Sequence, residues 1–198
     1  MQARPVGAEP VAVSRISISY MPELVRLRPR HHRSFLSFWD ELLAADEDAP
    51  NWLNWGDDRG RDELADPAEF VHWCDYLDFL PVEPLETLPP DRVRSTIRYL
   101  ADGDEVLSRV SIRHGLTDHL LQVGGHIGYI VRPTQRRQGY AKQTLAEALR
   151  IAAELGLTQA LVTCHDDNIG SARTIEANGG VLADIREGTR RYWVPTQR

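Results

Sequence analysis

The chain has 198 residues, of which 42% are apolar and 26% are charged, and its formal net charge is −6. This composition excludes wholesale disorder, and the length suits one domain that buries a sizeable core. The sequence lacks an apolar run of the ~18–20 residues that a membrane span needs, and its first twenty residues do not resemble a signal peptide. Cys74 and Cys164 lie too far apart in the sequence to suggest a disulfide scaffold. A cytoplasmic protein without a membrane partner is therefore expected.

Acidic residues and tryptophans are concentrated in one segment. From Asp40 to Glu86 there are 15 acidic and two basic residues, a local net charge of −13, and four of the five tryptophans lie in or beside this stretch. One interpretation is a solvated acidic surface over a tryptophan-rich core. The other is a groove for a cationic substrate, because carboxylates attract cations and indole faces bind them. Basic stripes with interleaved aromatic residues are missing, which argues against a nucleic-acid partner.

The first half of the chain is predicted to be mainly helical. Residues 1–14 resemble a loose tail, and the alternation over 15–20 predicts a short strand, with 23–27 as the alternative first strand. Residues 49–60 carry Pro, Asn and Gly and predict a loop. Apolar residues at helical spacing predict two amphipathic helices, over 31–45 and 67–80.

The second half changes to strands interspersed with helices. Residues 114–122 fit a short helix or a loop. Helical periodicity closed by glycines predicts helices over 139–155 and 168–177. Alternating or short apolar runs predict six strands, over 93–100, 105–113, 125–131, 159–165, 181–185 and 190–194. This order predicts an α/β fold with a mixed sheet.

One junction between a strand and a helix has the properties of an anion site. A strand ends at Val131, Pro133 stops it, and Gly139 opens the long helix. Unpaired N–H groups at a helix start bind anions, and the helix dipole adds positive potential. Gly139 lets the backbone approach a phosphate, and Ala141 avoids crowding it. Nearby basic residues supply counter-charge: Arg136, Arg137 and Lys142. The alternative is an ordinary strand-to-helix turn with exposed arginines.

Residues 136–141 match the pattern Q/R-x-x-G-x-G/A and resemble the signature loop of the GNAT superfamily of N-acetyltransferases, which holds the pyrophosphate of coenzyme A. The resemblance extends over about 93–194. Val131 stands where the family's strand pairs with pantetheine through its backbone, and Asn168 stands where a family Asn meets the cofactor. It implies a twisted mixed α/β sheet, flanked by helices and splayed between its fourth and fifth strands.

The resemblance also implies an activity and a cofactor site. The enzyme would move the acetyl group of acetyl-CoA, without a metal, to a primary amine of a small molecule or peptide by direct attack in a ternary complex. Within a single domain, 15–90 would shape the acceptor site and 91–198 would form the acetyl-CoA-binding core, and family members are often homodimers. Ten residues would contact the cofactor: Ile130, Val131, Arg136, Arg137, Gln138, Gly139, Tyr140, Ala141, Asn168 and Ser171.

Two positions depart from the family pattern. Many members carry a tyrosine acid where this chain has Ile175, and several carry a glutamate base where it has Gly125. Because imidazole titrates near neutral pH, a histidine close to the missing glutamate is a candidate base. Strand alternation places a tyrosine on the face of Gly125. The replacements considered are His126 as base, Tyr129 as acid or substrate-orienting group, and, less favoured, Asp118 and His119.

Other functions stay open from the sequence. Small residues at Gly124, Gly125 and Gly128 would leave room for a longer acyl group. The departures at Gly125 and Ile175 would also suit a non-catalytic acyl-CoA-binding or interaction module. The acidic segment over 40–86 favours an aminoglycoside-type resistance acetyltransferase, because aminoglycosides are polycations.

Overall fold

The computed structural model describes part of the chain: residues 21–53, 59–89 and 91–197. The tail predicted over 1–14 and the strand predicted over 15–20 lie outside these residues. A first strand does form over the alternative segment. Among the described residues the sheet has seven strands: β1 (Glu23–Val25), β2 (Ser95–Asp102), β3 (Glu105–Arg113), β4 (Ile127–Val131), β5 (Gln159–His165), β6 (Val181–Arg186) and β7 (Thr189–Pro195).

The four predicted helices form, and three shorter ones accompany them among the described residues. Asp66 caps one of them by accepting a hydrogen bond from the Ala68 N–H at 2.7 Å. Thr117 accepts from the Leu120 N–H, so the ambiguous segment 114–122 ends in a short helix. The helices are α1 (His32–Ala44), α2 (Ala49–Leu53), α3 (Arg61–Leu64), α4 (Pro67–Phe79), α5 (Asp118–Gln122), α6 (Tyr140–Glu154) and α7 (Ile169–Ala177).

The loop predicted over 49–60 is wrong at its start, and a short helix that was not predicted follows its end. Helix α2 occupies the start, and α3 begins directly after Gly60, whose N–H donates to the Glu63 carboxylate. Leu53 and Leu64 are completely buried. Burial of these apolar side chains against the core outweighs the turn-forming residues, because packing decides the conformation of short helices more than propensity does.

The sheet is mixed and is split between its two central strands. The strand order is β1-β2-β3-β4-β5-β7-β6, and only β4 and β5 are paired in parallel. Their register has a single pair, Ile127 with Val162. Beyond this pair the strands diverge and leave a cleft. The predicted α/β fold, with a sheet splayed between strands 4 and 5, is confirmed.

Each face of the sheet has its own apolar core. On one face α1 and α4 bury aromatic side chains, including Phe35, Trp39 and Trp73, against Tyr99 and Ile130. On the other face α6 and α7 pack on β3 and β5. The acidic segment therefore does lie over a tryptophan-rich core, because Trp39 and Trp73 are almost fully buried.

A histidine joins β4 to β5 where the cleft closes. The His126 N–H donates to the Leu161 carbonyl at 2.7 Å, and His126 Nδ1 accepts from the Leu161 N–H at 2.9 Å. The preceding residue, Gly125, has φ +60°. A Cβ there would lie within 2.9 Å of the Leu161 carbonyl carbon and closer still to its oxygen. The closed end of the cleft therefore requires glycine at this position.

Arg132 ties the helical half to the end of β4. Its guanidinium is almost buried and lies 2.7 Å from the Glu41 carboxylate of α1, with further hydrogen bonds to Ser34 and Ser37. Glu41 also accepts from the Thr134 hydroxyl at 2.8 Å. Burial alone would raise the pKa of Glu41, but the hydrogen bonds from Arg132 and Thr134 outweigh it and lower the pKa.

This lowered pKa predicts acid sensitivity of the fold. A depressed folded-state pKa stabilises the protein above the unfolded glutamate pKa of about 4.3, and this contribution is lost as the pH falls through the folded value. The substitution Glu41→Gln is expected to lower the free energy of unfolding by about 1–2 kcal/mol at pH 7 and to have a smaller effect near pH 3. Urea unfolding at both pH values measures this, with exposed Asp75→Asn as the control. An equal loss at both pH values would contradict the prediction.

Candidate functional site

The divergence of β4 and β5 opens a cleft of about 1070 Å³. Its walls come from both halves of the chain. Glu47 and Trp52 of the helical half line it together with residues of β3, β4, α6 and α7. The cleft therefore reaches both faces of the sheet and can hold two ligands side by side.

The loop that follows β4 is shaped to receive an anion. Arg137 has φ +66° and Gly139 has φ +90°, so the chain turns twice through the left-handed region before α6 begins. Such turns aim successive N–H groups into one concavity. The Gln143 N–H is the first to bond back to Gly139, which leaves the N–H groups of the first turn without an intrahelical acceptor. A Cβ at Gly139 would meet no atom within 4 Å, so the space in front of the loop is open.

Arg136 fixes this loop in place. Its Nε donates to the Val131 carbonyl at 3.0 Å, and its two terminal nitrogens contact the Glu47 carboxylate at 2.7 and 2.9 Å. The side chain was predicted as counter-charge for a phosphate. In the structure it holds the loop against the strand end and against the segment between α1 and α2.

Nearly all the predicted cofactor residues meet in the cleft. Gln138 is the exception, because its amide donates to Gln135 and it does not line the cleft. The residues that the structure brings together are Ile130, Val131, Arg136, Arg137, Gly139, Tyr140, Ala141, Asn168 and Ser171.

Part of the β4 backbone is free at the divergence, although the Val131 carbonyl already accepts from Arg136. The Arg132 N–H bonds to Leu107 of β3, so by strand alternation the backbone groups of Val131 and Tyr129 face β5. Beyond Ile127 no residue of β5 pairs with them in the sheet register. The backbone of Ile130 faces β3 instead. Of the two residues predicted to bind through their backbone, Ile130 and Val131, only Val131 therefore has backbone groups on the cleft side.

Tyr129 crosses the cleft to α7. Its hydroxyl lies 2.9 Å from the Ser171 hydroxyl. Burial raises the pKa of Tyr129 to about 12, so the side chain keeps its proton at neutral pH. It can donate a hydrogen bond, but it cannot serve as a base. Ile175, where relatives carry a tyrosine, is completely buried in the core below α7.

The other candidate acid–base residues are scattered. His126 is buried, holds β4 to β5 through its Nδ1, and does not line the cleft. Burial and the nearby Arg113 charge lower its pKa. This position favours a structural role for His126. His119 of α5 does line the cleft, whereas Asp118 is exposed and does not.

A polar row on β3 was not predicted from the sequence. Arg109, Ser111 and Arg113 alternate along the face that looks toward α1 and α4, and all three line the cleft although they are buried. In the sequence, these three polar residues alternate with the apolar residues Val110 and Ile112. Such a pattern normally indicates a solvent-facing side, and nothing in the sequence shows that helices cover it.

The described residues do not give the cleft the acidic lining that a cationic substrate would need. Of the described acidic residues between 40 and 86, only Glu47 lines it, and Glu47 is paired with Arg136. Others form ion pairs elsewhere, such as Asp40 with Arg61. The basic residues of the lining are Arg109, Arg113, Arg136, Arg137, Lys142 and Arg173. Arg113 also lies near Gly124 and Gly128, at 3.7 Å from a Cβ at either position.

Within residues 21–53, 59–89 and 91–197, no cluster of three or more His, Cys, Asp or Glu side chains could hold a metal ion. None of the helices in these segments has the length and apolar character to cross a membrane.

Comparisons with solved structures give the same fold at low identity. The ribosomal-protein-S5-alanine acetyltransferase of Vibrio fischeri is 11% identical, with a TM-score of 0.59 over 90% of this chain and 95% of that chain. RimJ of Mycobacterium smegmatis, in complex with CoA-disulfide, is 15% identical, with a TM-score of 0.58 over 86% and 79%. A Salmonella typhimurium acetyl transferase, which modifies the N-terminal serine of 50S ribosomal subunit protein L7/L12, is 15% identical, with a TM-score of 0.56 over 91% and 98%.

Comparison by sequence identifies the family. No curated protein matches the chain. The family model of the acetyltransferase (GNAT) domain matches residues 24–181, which is well over half of the chain. The match includes the loop 136–141, the cleft between β4 and β5, and the helices that cover it. The chain therefore belongs to the GNAT family of acetyltransferases.

Proposed function

We propose that this protein transfers the acetyl group of acetyl-CoA to a primary amine by direct attack in a ternary complex. The observation that carries the proposal is the anion-binding loop over 136–141 at the mouth of a cleft made by two diverging strands. A pyrophosphate fits the first-turn N–H groups of α6, and a narrow arm fits the unpaired backbone of β4.

The described residues divide between the two substrates. Arg137, Gly139, Tyr140 and Ala141 face the diphosphate position, and Asn168 and Ser171 of the α7 start lie on the far wall. The helices α1 to α4 cover the opposite face of the sheet, where the acceptor enters. This division supports the predicted roles of the helical half and of the C-terminal core within one domain.

Acetyl-CoA supplies an acetyl group on a thioester. The amine nitrogen forms a bond to the acetyl carbon, the carbon–sulfur bond breaks, and the ammonium proton passes to water. Tyr129 is the residue best placed to donate a hydrogen bond to the departing sulfur, because its protonated hydroxyl lies in the cleft beside Ser171. The Val131 N–H facing the divergence is the donor for the acetyl oxygen.

Related structures support an amine acceptor. Two of the proteins compared above are described as acting on a ribosomal-protein alanine and on an N-terminal serine. The structure of RimJ contains a coenzyme A disulfide. We therefore infer coenzyme A in its acetylated form as the co-substrate and an amine, of a peptide or of a small molecule, as the acceptor.

Titration calorimetry with acetyl-CoA tests the cofactor site. The substitution Gly139→Asp places a carboxylate in the space that the diphosphate needs, and we expect it to weaken binding at least about tenfold. Gly156→Asp is the matched control, because Gly156 ends the same helix with φ +88° and has the same open surroundings. Both substitutions place a side chain on a residue with positive φ and therefore cause similar backbone strain, but only Gly139→Asp changes the cleft.

Three results of these binding and turnover measurements are distinguishable. Loss of binding in Gly139→Asp and normal binding in Gly156→Asp would support the proposal. Failure of the folded wild type to bind acetyl-CoA would refute it. Binding without release of free thiol across a broad panel of amines would favour a non-catalytic acyl-CoA-binding module.

A further inference from the structure

The polar row on β3 has hydrogen-bonding groups without partners. Arg109 is 3% exposed and Ser111 is 2% exposed. Within the described residues, Nε and Nη2 of Arg109 and Oγ of Ser111 make no hydrogen bond. Buried polar groups in folded proteins are almost always paired, and an unpaired buried charge is costly. These donors therefore point to a ligand that the cleft receives.

The surroundings of Arg109 are positive. The Tyr99 hydroxyl lies beside it and also lacks a hydrogen-bond partner among the described residues, and no carboxylate of these segments acts on Arg109. Arg113, four residues along the same face, adds a second guanidinium, which donates to the Gly124 and Gly125 carbonyls at 3.0 Å each. Burial and repulsion from Arg109 lower the pKa of Arg113 to about 10, which is still far above neutral pH. Burial lowers the pKa of Arg109 as well. Because guanidinium groups stay protonated in proteins, both arginines are charged and attract an anion.

The register places this row beside the proposed reaction site. Arg109 lies opposite Ile130, and Ser111 lies opposite Gly128. These residues face α1 and α4, whereas the loop over 136–141 lies beyond the end of β4. The row is therefore separate from the diphosphate position and belongs to the acceptor side of the sheet.

We propose that the amine acceptor carries a carboxylate, which binds to Arg109 and Ser111. The planar guanidinium fork matches the two carboxylate oxygens, and the Ser111 hydroxyl adds one donor. This inference rests on the proposed function and names the acceptor class of the same cleft. The carboxylate belongs either to a free amino acid or to an acidic residue near a peptide N-terminus.

Acetylation of matched acceptor pairs tests the proposal. The first set pairs each of the common L-amino acids with its amide, and the second pairs tripeptide amides that differ only in Glu or Gln at the second residue. The wild type is expected to show kcat/KM at least about tenfold higher for the carboxylate member in one set. The set that shows the preference identifies the source of the carboxylate.

Variants assign the preference to the polar row. Arg109→Gln is expected to reduce the preference to less than about threefold, mainly through KM, with an unchanged acetyl-CoA affinity. Arg191→Gln is the control, because Arg191 is also buried but contacts Asp184 outside the cleft. A second readout needs no turnover: glutarate, but not glutaramide, should raise the Tm of the wild type and leave that of Arg109→Gln unchanged.

Four results would overturn the inference. The first two are equal kcat/KM for acid and amide in the wild type and an unchanged preference in Arg109→Gln. The third is the absence of an effect of glutarate on the Tm of the wild type. The fourth is weaker acetyl-CoA binding in Arg109→Gln, which would assign the polar row to the cofactor. If the wild type binds no acetyl-CoA and acetylates no amine, the proposed function is refuted, and the inference of a carboxylate-bearing acceptor is refuted as well. Acetyl-CoA turnover without carboxylate preference refutes this inference alone.

Discussion

Replacement of Gly125 by alanine is expected to lower the free energy of unfolding by about 3 kcal/mol. Two effects add. The residue has φ +60°, which L-residues with a side chain rarely adopt, and the new Cβ would overlap the Leu161 carbonyl. To relieve the overlap, β4 must move away from β5 where His126 joins them. Urea unfolding measured by tryptophan fluorescence provides the measurement.

The matched control lies three residues further along the chain, within β4. Gly128→Ala places a Cβ 3.7 Å from the Arg113 guanidinium, which is ordinary contact, and Gly128 has no positive φ. We expect a loss below about 1 kcal/mol for this variant. Equal losses in the two variants would show that the closed end of the cleft is not the constrained point. A glutamate base at Gly125, as in relatives, is incompatible with this backbone for the same reason.

Replacement of Tyr129 by phenylalanine is expected to lower kcat about a hundredfold and to leave the acetyl-CoA affinity within about threefold of the wild type. The phenylalanine keeps the packing but removes the hydrogen bond proposed for the departing sulfur. Because the pKa of Tyr129 is raised to about 12, the wild-type rate should show no decline from its ionisation up to about pH 10. Thiol-release kinetics from pH 6 to 10 measure both effects.

Ser171→Ala distinguishes catalysis from tethering. If the Tyr129 hydroxyl only ties β4 to α7, loss of its partner Ser171 should be as harmful as loss of the hydroxyl itself. If Tyr129 acts on the sulfur, Ser171→Ala should lower kcat less than tenfold, because the tyrosine still donates. Similar losses in the two variants would assign a structural role to the contact.

Local patterns predicted the architecture and the turn over 136–141 that opens α6. The conformation of residues 136–141 is determined by the local sequence, since a left-handed turn and a helix start depend on neighbouring residues only. The strand alternation over 105–113 likewise gave β3 correctly. These features were predictable because each arises within about ten residues of chain.

Features that depend on distant segments were not predictable. Nothing near Arg136 in the sequence indicates that Glu47 pairs with it, and nothing near Arg109 indicates that α1 and α4 cover it. The acidic stretch suggested a cationic acceptor, yet the charged side chains that line the cleft within the described residues are mostly arginines. Net charge along a segment says little about the sign of a pocket, because side chains on one helix point to different surroundings.

The divergence of β4 and β5 gives this sheet two inner edges in addition to its outer edges at β1 and β6. A free strand edge normally invites pairing with another chain, and proteins protect such edges with charges, bulges or covering segments. Here the inner edge of β4 is recessed in the cleft and needs no such protective charge, bulge or covering segment. A folded neighbour cannot reach it, while a slender extended ligand can add itself to the strand as a further partner.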